Sequence, residues 1–168
     1  MNLTAEHYIQ HLNLQAHPEG GYYKEVYRSA LSLSSQALPA EFGGVRQVCT
    51  SIYFLIEKQN FSAFHRIKSD ETWHFYDGQA LEVIELGEDG SLRKTAIGRD
   101  LPAGEQLQYT VKANTWFASR VKAGGDYSLV GCTVSPGFDF KDFEMAMRIS
   151  LLERYPQHKN EIIALTRV

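Results

Sequence analysis

Between residues 49 and 134 the chain alternates short apolar segments with turn signals, and this rhythm most narrows what it can fold into. The pattern predicts strands at 49–57, 62–67, 71–76, 80–86, 92–97, 106–111, 115–120 and 127–134. Turn residues separate them, among them Lys68-Ser69-Asp70, Asp77-Gly78, Glu88-Asp89-Gly90, Pro102-Ala103-Gly104, Ala113-Asn114 and Gly124-Gly125. Short strands at this spacing imply a sandwich or a small barrel. No helical pattern of about ten residues lies between them, which argues against alternating βαβ units.

The two ends read differently. Thr4 is placed to cap a short helix reaching about Leu12, with Tyr8, Ile9 and Leu12 on one side. Pro18 and Gly20-Gly21 break that pattern, and 22–28 alternates like a strand. Residues 29–44 are rich in Ser, Ala and Gly and read as a long surface loop or a flap over a site. Residues 139–154 have helical period, with Phe143, Met147 and Leu151 on one face, and Pro156 opens a last short helix through Thr166. Without linker or repeat, 1–168 reads as one domain, of ordinary size for a single hydrophobic core.

Bulk properties exclude some functions. A net charge of −3, with no cluster of Lys or Arg beyond Arg93-Lys94, is not a nucleic-acid face. The longest apolar run, 52–56, is far below the roughly 20 residues of a membrane-spanning helix. The opening MNLTAEHYIQHL has no basic region followed by an apolar stretch, so a cytoplasmic location is expected. Cys49 and Cys132 lie in strand-like apolar segments and read as buried, reduced thiols.

The segment FSAFHRIKSDETWHFYDG, 61–78, carries the chemistry. Strand alternation points His65 and Ile67 together, puts Glu71, Trp73 and Phe75 on one face, and turns His74 to the other. An imidazole and a carboxylate in an aromatic-walled cavity suit acid–base chemistry, because burial and pairing tune both pKa values. The same two residues also suit a purely structural hydrogen bond. His65 and Glu71 are two ligands, too few for a tight transition-metal site.

The spacing His65-x-Ile67-xxx-Glu71-xxxxxx-Gly78 resembles the first cupin motif, with Ile67 in place of its second His. QYTVKANTWFAS resembles the second, with Phe117 at the His position. Together HPEGGYYKEVYRS, SIYFLIE, FSAFHRIKSDETWHFYDG and SLVGCTVSPGFDFKDFEMA resemble the fifth cupin-like family, from about residue 4 to about residue 166. The resemblance implies an all-β fold: a double-stranded β-helix, or cupin jelly-roll barrel, with a short N-terminal helix and one or two C-terminal helices, paired as a homodimer. The wider fold neighbourhood includes dTDP-4-dehydrorhamnose 3,5-epimerases, seed storage globulins and metal-dependent isomerases and dioxygenases. By resemblance to the metal-free epimerases, His65 is expected to be a base, Glu71 to orient it, and Tyr53 or Tyr127 to be an acid. No cofactor is expected; a divalent transition metal on His65 and Glu71 is the alternative. Trp73, Phe75 and Phe117 are the expected pocket wall, and Glu19, Tyr23, Lys24 and Arg28 an expected rim for a carbohydrate-like ligand. Glu19 to Arg28 also read as an edge strand pairing across a dimer. A metal-independent sugar epimerase or isomerase, a non-catalytic small-molecule binding protein and a metal-dependent enzyme are the competing functions.

Overall fold

The computed structural model describes residues 3–167. The β-strands are β1 (Gln15–Ala16), β2 (Tyr22–Arg28), β3 (Ser32–Leu33), β4 (Arg46–Gln47), β5 (Thr50–Glu57), β6 (Phe61–Arg66), β7 (Asp70–Gly78), β8 (Leu81–Leu86), β9 (Leu92–Ile97), β10 (Gln108–Val111), β11 (Trp116–Val121), β12 (Tyr127–Ser135) and β13 (Glu144–Met145). A six-stranded antiparallel sheet, in the order β1-β2-β5-β12-β7-β10, faces a five-stranded one, in the order β13-β6-β11-β8-β9. Three short helices complete the chain: α1 (Ala5–Leu12), α2 (Arg148–Arg154) and α3 (Lys159–Ala164). This is the all-β jelly roll that the strand rhythm and the resemblance imply.

Alternation along the strands divides the apolar residues into three layers. Phe54 and Ile56 of β5, Trp73 of β7, Val83 of β8, Phe117 of β11 and Val130 of β12 meet between the sheets. Leu55 and Leu129, offset by one residue, point outward and pack under α1 with Leu14. Phe64, Ile84 and Ala118 point away from the barrel interior and are covered by Leu151, Tyr155, Ile162 and Leu165 of the C-terminal tail. Burying a side chain of this size contributes about 1.5–3 kcal/mol, so a one-residue slip in any central strand would forfeit both layers.

The ends depart from the sequence pattern in one place. Thr4 caps α1, accepting a hydrogen bond from the His7 backbone N–H at 3.3 Å. The helix expected over 139–154 begins only at Arg148. Its first part is instead a 3-10 turn, Phe140–Asp142, followed by β13, which pairs with Arg66 and His65 at the edge of the five-stranded sheet. Sheet pairing outweighs the helical spacing of Phe143 and Met147, and Met147 and Ile149 are left largely exposed. Residues 29–44 fold over the surface, with β3 pairing to β4 and Phe42 buried. Both cysteines are free thiols, Cys132 buried and Cys49 half-buried.

Candidate functional site

The site begins with a tight turn. Gly20 and Gly21 have φ of +113° and +75°, conformations that favour glycine. A Cβ on Gly20 would overlap the Phe61 carbonyl oxygen, and one on Gly21 would lie 2.7 Å from the Leu55 carbonyl oxygen. The two glycines therefore let the chain lie against β5 and β6, and the residue before them, Glu19, is delivered into the barrel. Its backbone carbonyl accepts from the Ala63 N–H at 2.9 Å, which ties the turn to β6.

The Glu19 side chain is 8% exposed, and its carboxyl meets three side chains. Ser62 Oγ donates to Oε1 at 2.8 Å. His65 Nε2 lies 3.1 Å from Oε2, and His17 Nδ1 lies 3.5 Å from the same oxygen. His65 Nδ1 is 2.7 Å from the Ala63 carbonyl oxygen, which can only accept, so Nδ1 carries a proton. The Nε2 of a neutral His65 is then a bare lone pair facing a carboxyl oxygen. That contact is satisfied only by one proton held between the two atoms, as carboxylic acid beside imidazole or as carboxylate beside imidazolium.

Burial sets the electrostatics. It pushes the His65 pKa down to about 4 and the Glu19 pKa up to about 7, the latter opposed by His17 and by the Ser62 hydrogen bond. Glu71, on β7, is pushed up to about 8, first by burial and then by the charge of Glu19. The Cys132 thiol beside Glu71 is pushed up by burial as well. Two carboxyls share one space with little solvent, so each raises the cost of ionising the other.

These groups line a cavity of about 540 Å³. Tyr23, Ile52, Phe54, Glu71 and Cys132 form the wall contributed by the six-stranded sheet. The other wall is the segment from Phe138 to Phe143, whose rings lie near the histidines: His65–Phe143 centroids are 5.3 Å apart and His17–Phe140 centroids 6.0 Å. A buried ion pair fixes that segment. Arg46 donates from Nε and Nη2 to the two oxygens of Asp142 at 2.6 and 2.7 Å, and Lys68 adds a contact at 3.2 Å. The loop expected as a possible flap, 29–44, ends just before Arg46, whose Nη2 also donates to the Phe42 carbonyl at 2.7 Å.

Of the residues singled out in the sequence, His65, Glu71, Glu19, Tyr23 and Arg28 line the cavity. His65 contacts Glu19; the expected His65–Glu71 pairing is corrected, because the turn at Gly20-Gly21 brings the nearer carboxyl. Trp73 and Phe117 are only 1% exposed and belong to the core between the sheets, not to the cavity wall. Phe75 packs against that core under the Arg99 guanidinium, 5.3 Å from its ring centroid. Lys24 lies next to Tyr23 on β2 and takes the opposite face. Tyr53 is on the outer face against Tyr76, and Tyr127 donates to Asp77 Oδ2 at 2.9 Å in a separate surface groove, so neither expected tyrosine acid reaches the cavity. His74 faces Thr133 on the outer side, Nε2 to Oγ1 3.1 Å. The sequence reading missed His17, Cys132 and the aromatic segment 138–143. A proline, an acidic residue and a glycine pair in a row were the available signal for the first.

The donor set does not fit a cupin metal. Phe117 stands opposite His65 in the β11–β6 ladder, with ring centroids 4.2 Å apart, and Ile67 occupies the other ligand position. His65 offers only Nε2, and Glu19 already engages it. Among the described residues no group of three or more His, Cys, Asp or Glu side chains is arranged to hold a metal ion.

The two-sheet jelly roll with a cavity inside the barrel is the fold of the cupin superfamily, to which the chain belongs. Within it the chain belongs to the family described as Cupin_5, "Cupin superfamily (DUF985)", whose model matches residues 6–146. The structure of a hypothetical protein from Leishmania major is similar over 99% of this chain and 100% of its own, with 40% identity and a TM-score of 0.91. The Saccharomyces cerevisiae "Uncharacterized protein YML079W" is 27% identical over 144 residues, covering 80% of this chain and 71% of its own. Oxalate decarboxylase from Bacillus subtilis shares the fold, with 13% identity and a TM-score of 0.54 over 89% of this chain and 36% of its own length. Among the described residues no helix is long and apolar enough to cross a membrane.

Proposed function

We propose that this cupin moves a proton next to a carbonyl group of a carbohydrate-like small molecule without a metal, as a sugar epimerase or isomerase does. The observation that carries this reading is the 3.1 Å contact of His65 Nε2 with Glu19 Oε2 inside a cavity that Glu71 also faces. Environments that separate the protonation states of neighbouring groups assign acid and base roles. Glu71, pushed up to about 8, keeps its proton at neutral pH and is the acid. The Glu19–His65 unit is the base in its ionised form, which Glu19, near 7, reaches at neutral pH, and the proton it takes is the one the contact then lacks.

In the proposed step the C–H bond beside the carbonyl breaks and its proton passes to the Glu19–His65 unit. The bonding pair forms a carbon–carbon double bond. The carbonyl oxygen takes the Glu71 proton, giving an enol. Return of that proton from the Glu19–His65 unit to the former carbonyl carbon, with the hydroxyl on the neighbouring carbon giving its proton back to Glu71, moves the carbonyl by one carbon and completes an isomerisation. Positioned acid–base groups of this kind contribute about 10²–10⁴-fold each.

The test is solvent exchange. A panel of ketoses, aldoses and 2-hydroxy ketones is incubated with the protein in D2O, and loss of the α-proton signal is followed by NMR. At least one member is expected to exchange, and His65→Ala and Glu19→Gln to lower its rate at least about tenfold. No exchange in the panel, or equal rates in the variants, overturns the reading; binding without exchange marks a non-catalytic binding protein instead.

A further inference from the structure

The charge of the cavity is more specific than its shape. Four carboxyl groups line it: Glu19 and Glu71 inside, Glu25 and Asp139 nearer the mouth. Arg28 is the only Lys or Arg among the described lining residues. Its guanidinium makes four hydrogen bonds to the protein: Nε and Nη2 donate to Glu25 at 2.9 and 2.7 Å, Nη1 to Gln47 at 2.9 Å, and Nη2 also to the Phe138 carbonyl at 3.2 Å. His65 spends its Nδ1–H on Ala63, and His17 Nδ1 accepts from the Glu19 backbone N–H at 3.3 Å. The cavity is therefore rich in carboxyl groups, and its one guanidinium is already paired with a carboxylate. A phosphate or carboxylate placed there would find no cation to receive it.

Glu71 is the second observation. It is 8% exposed, it faces the cavity, and its neighbours are the Glu19 carboxyl and the Cys132 thiol, with no basic side chain as partner. A buried carboxyl without a cation is costly to ionise, and a ligand that brings a positive charge removes that cost. The aromatic wall points the same way. The faces of Tyr, Phe and Trp rings attract cations, the more so when water is excluded, and Tyr23, Phe54, Phe140 and Phe143 surround the carboxyls.

We infer that the barrel cavity selects ligands carrying a protonated amine, bound between Glu71 and the aromatic wall, and rejects anionic ones such as sugar phosphates, nucleotide sugars and uronates. This rests on the proposed use of the same cavity for a carbohydrate-like substrate, and it narrows that class to amino sugars and related amino carbonyl compounds. Binding an ammonium there would draw Glu71 toward its carboxylate, with release of its proton, and the ammonium N–H then takes the place of the Glu71 O–H as the donor to the carbonyl oxygen.

The test uses two matched charge series on the intact protein, followed by calorimetric titration and thermal stability: glucosamine, glucose and glucuronate, and benzylamine, benzyl alcohol and benzoate. In at least one series the amine is expected to bind at least tenfold more tightly than the carboxylate and to raise the melting temperature. Glu71→Gln is expected to cut amine affinity at least tenfold while leaving the neutral member within about twofold, a margin typical of a lost charge-assisted contact. Equal affinities across both series, a preference for the carboxylates, or no binding by either amine overturns the inference. The wild-type series does not depend on the variant folding. Binding is read separately from exchange, so an amine preference without α-proton exchange leaves this inference standing and removes the proposed catalysis; exchange with a carboxylate preference does the reverse.

Discussion

His65 Nε2 and Glu19 Oε2 lie 3.1 Å apart although one residue comes from a turn near the N-terminus and the other from a central strand. The contact unites three decisions of the sequence. Gly20-Gly21 makes the turn, the register of β2 on β5 places it over the barrel, and the Ala63 carbonyl fixes the ring of His65. Neither residue could be assigned a protonation state alone, because the lone pair on one is satisfied only through a proton belonging to the other.

The first prediction concerns that proton. With Nδ1–H held by Ala63, the neutral ring is the Nδ1–H tautomer, the less common form in solution. Heteronuclear NMR of the histidine side chains is expected to show the His65 ring in this tautomer at pH 7, titrating near 4, where burial has pushed it. A ring with protonated Nε2 and an ordinary titration near 6.5 would remove the geometric basis of the base.

The second follows from linkage. Glu19 and Glu71 keep protons in the folded chain up to about pH 7 and 8, but lose them near 4.5 when unfolded. The folded state then binds more protons than the unfolded one, so stability falls as pH rises. Below 6.5 the buried His65 and His17, both pushed down, act in the opposite direction. Between pH 6.5 and 8 the unfolded histidines lose their remaining protons, an opposing effect smaller than that of the two carboxyls. Urea unfolding across that window is expected to lose on the order of 2 kcal/mol, and Glu71→Gln to remove most of the loss. Stability that rises with pH there would contradict the shared burial of the two carboxyls.

Much of the fold is legible in the sequence, and the reason is local. Turn positions at Gly78, Gly90, Gly104, Asn114 and Gly124 all have positive φ, so the chemistry that marks a break also makes it. Strand faces follow by alternation, which places His65, Ile67 and Glu71 on the cavity without knowledge of the rest. The partner of His65 is not legible in this way, since no periodicity links a turn to a strand far along the chain. The segment 138–143 misleads more actively. Phe143, Met147 and Leu151 have the spacing of a helix face, but the edge of the five-stranded sheet offers Glu144 and Met145 a better place for their backbone hydrogen bonds. The aromatic wall of the cavity is a consequence of that pairing, while Trp73 and Phe117, conspicuous in the sequence, are spent on the core.

The third prediction tests what holds the aromatic wall. Arg46 and Asp142 have side chains only 5% and 3% exposed, joined by two charge-assisted hydrogen bonds. Removing one partner of such a pair leaves a buried charge and costs about 3–5 kcal/mol. Asp142→Ala is expected to lower unfolding stability by about 3 kcal/mol, whereas Arg46→Met combined with Asp142→Leu is expected to recover most of it. If the single variant costs less than about 1 kcal/mol, in the range of an exposed pair, the ion pair does not anchor the wall.

The last prediction separates backbone conformation from space. Gly20 and Gly104 both have positive φ, +113° and +84°, but they differ in surroundings. A Cβ at Gly104 would meet nothing within 4 Å, whereas at Gly20 it would overlap the Phe61 carbonyl and the Arg167 guanidinium. Gly104→Ala is therefore expected to cost only the conformational penalty, about 1–2 kcal/mol. Gly20→Ala adds a clash with β6 backbone that cannot yield without moving Glu19, and is expected to cost about 3 kcal/mol or more. It is also expected to shift the titration of His65 back toward 6.5, because displacing the turn opens the contact to water. Equal costs for the two variants, with His65 titration unchanged, would mean that the close approach at Gly20 does not set the position of Glu19.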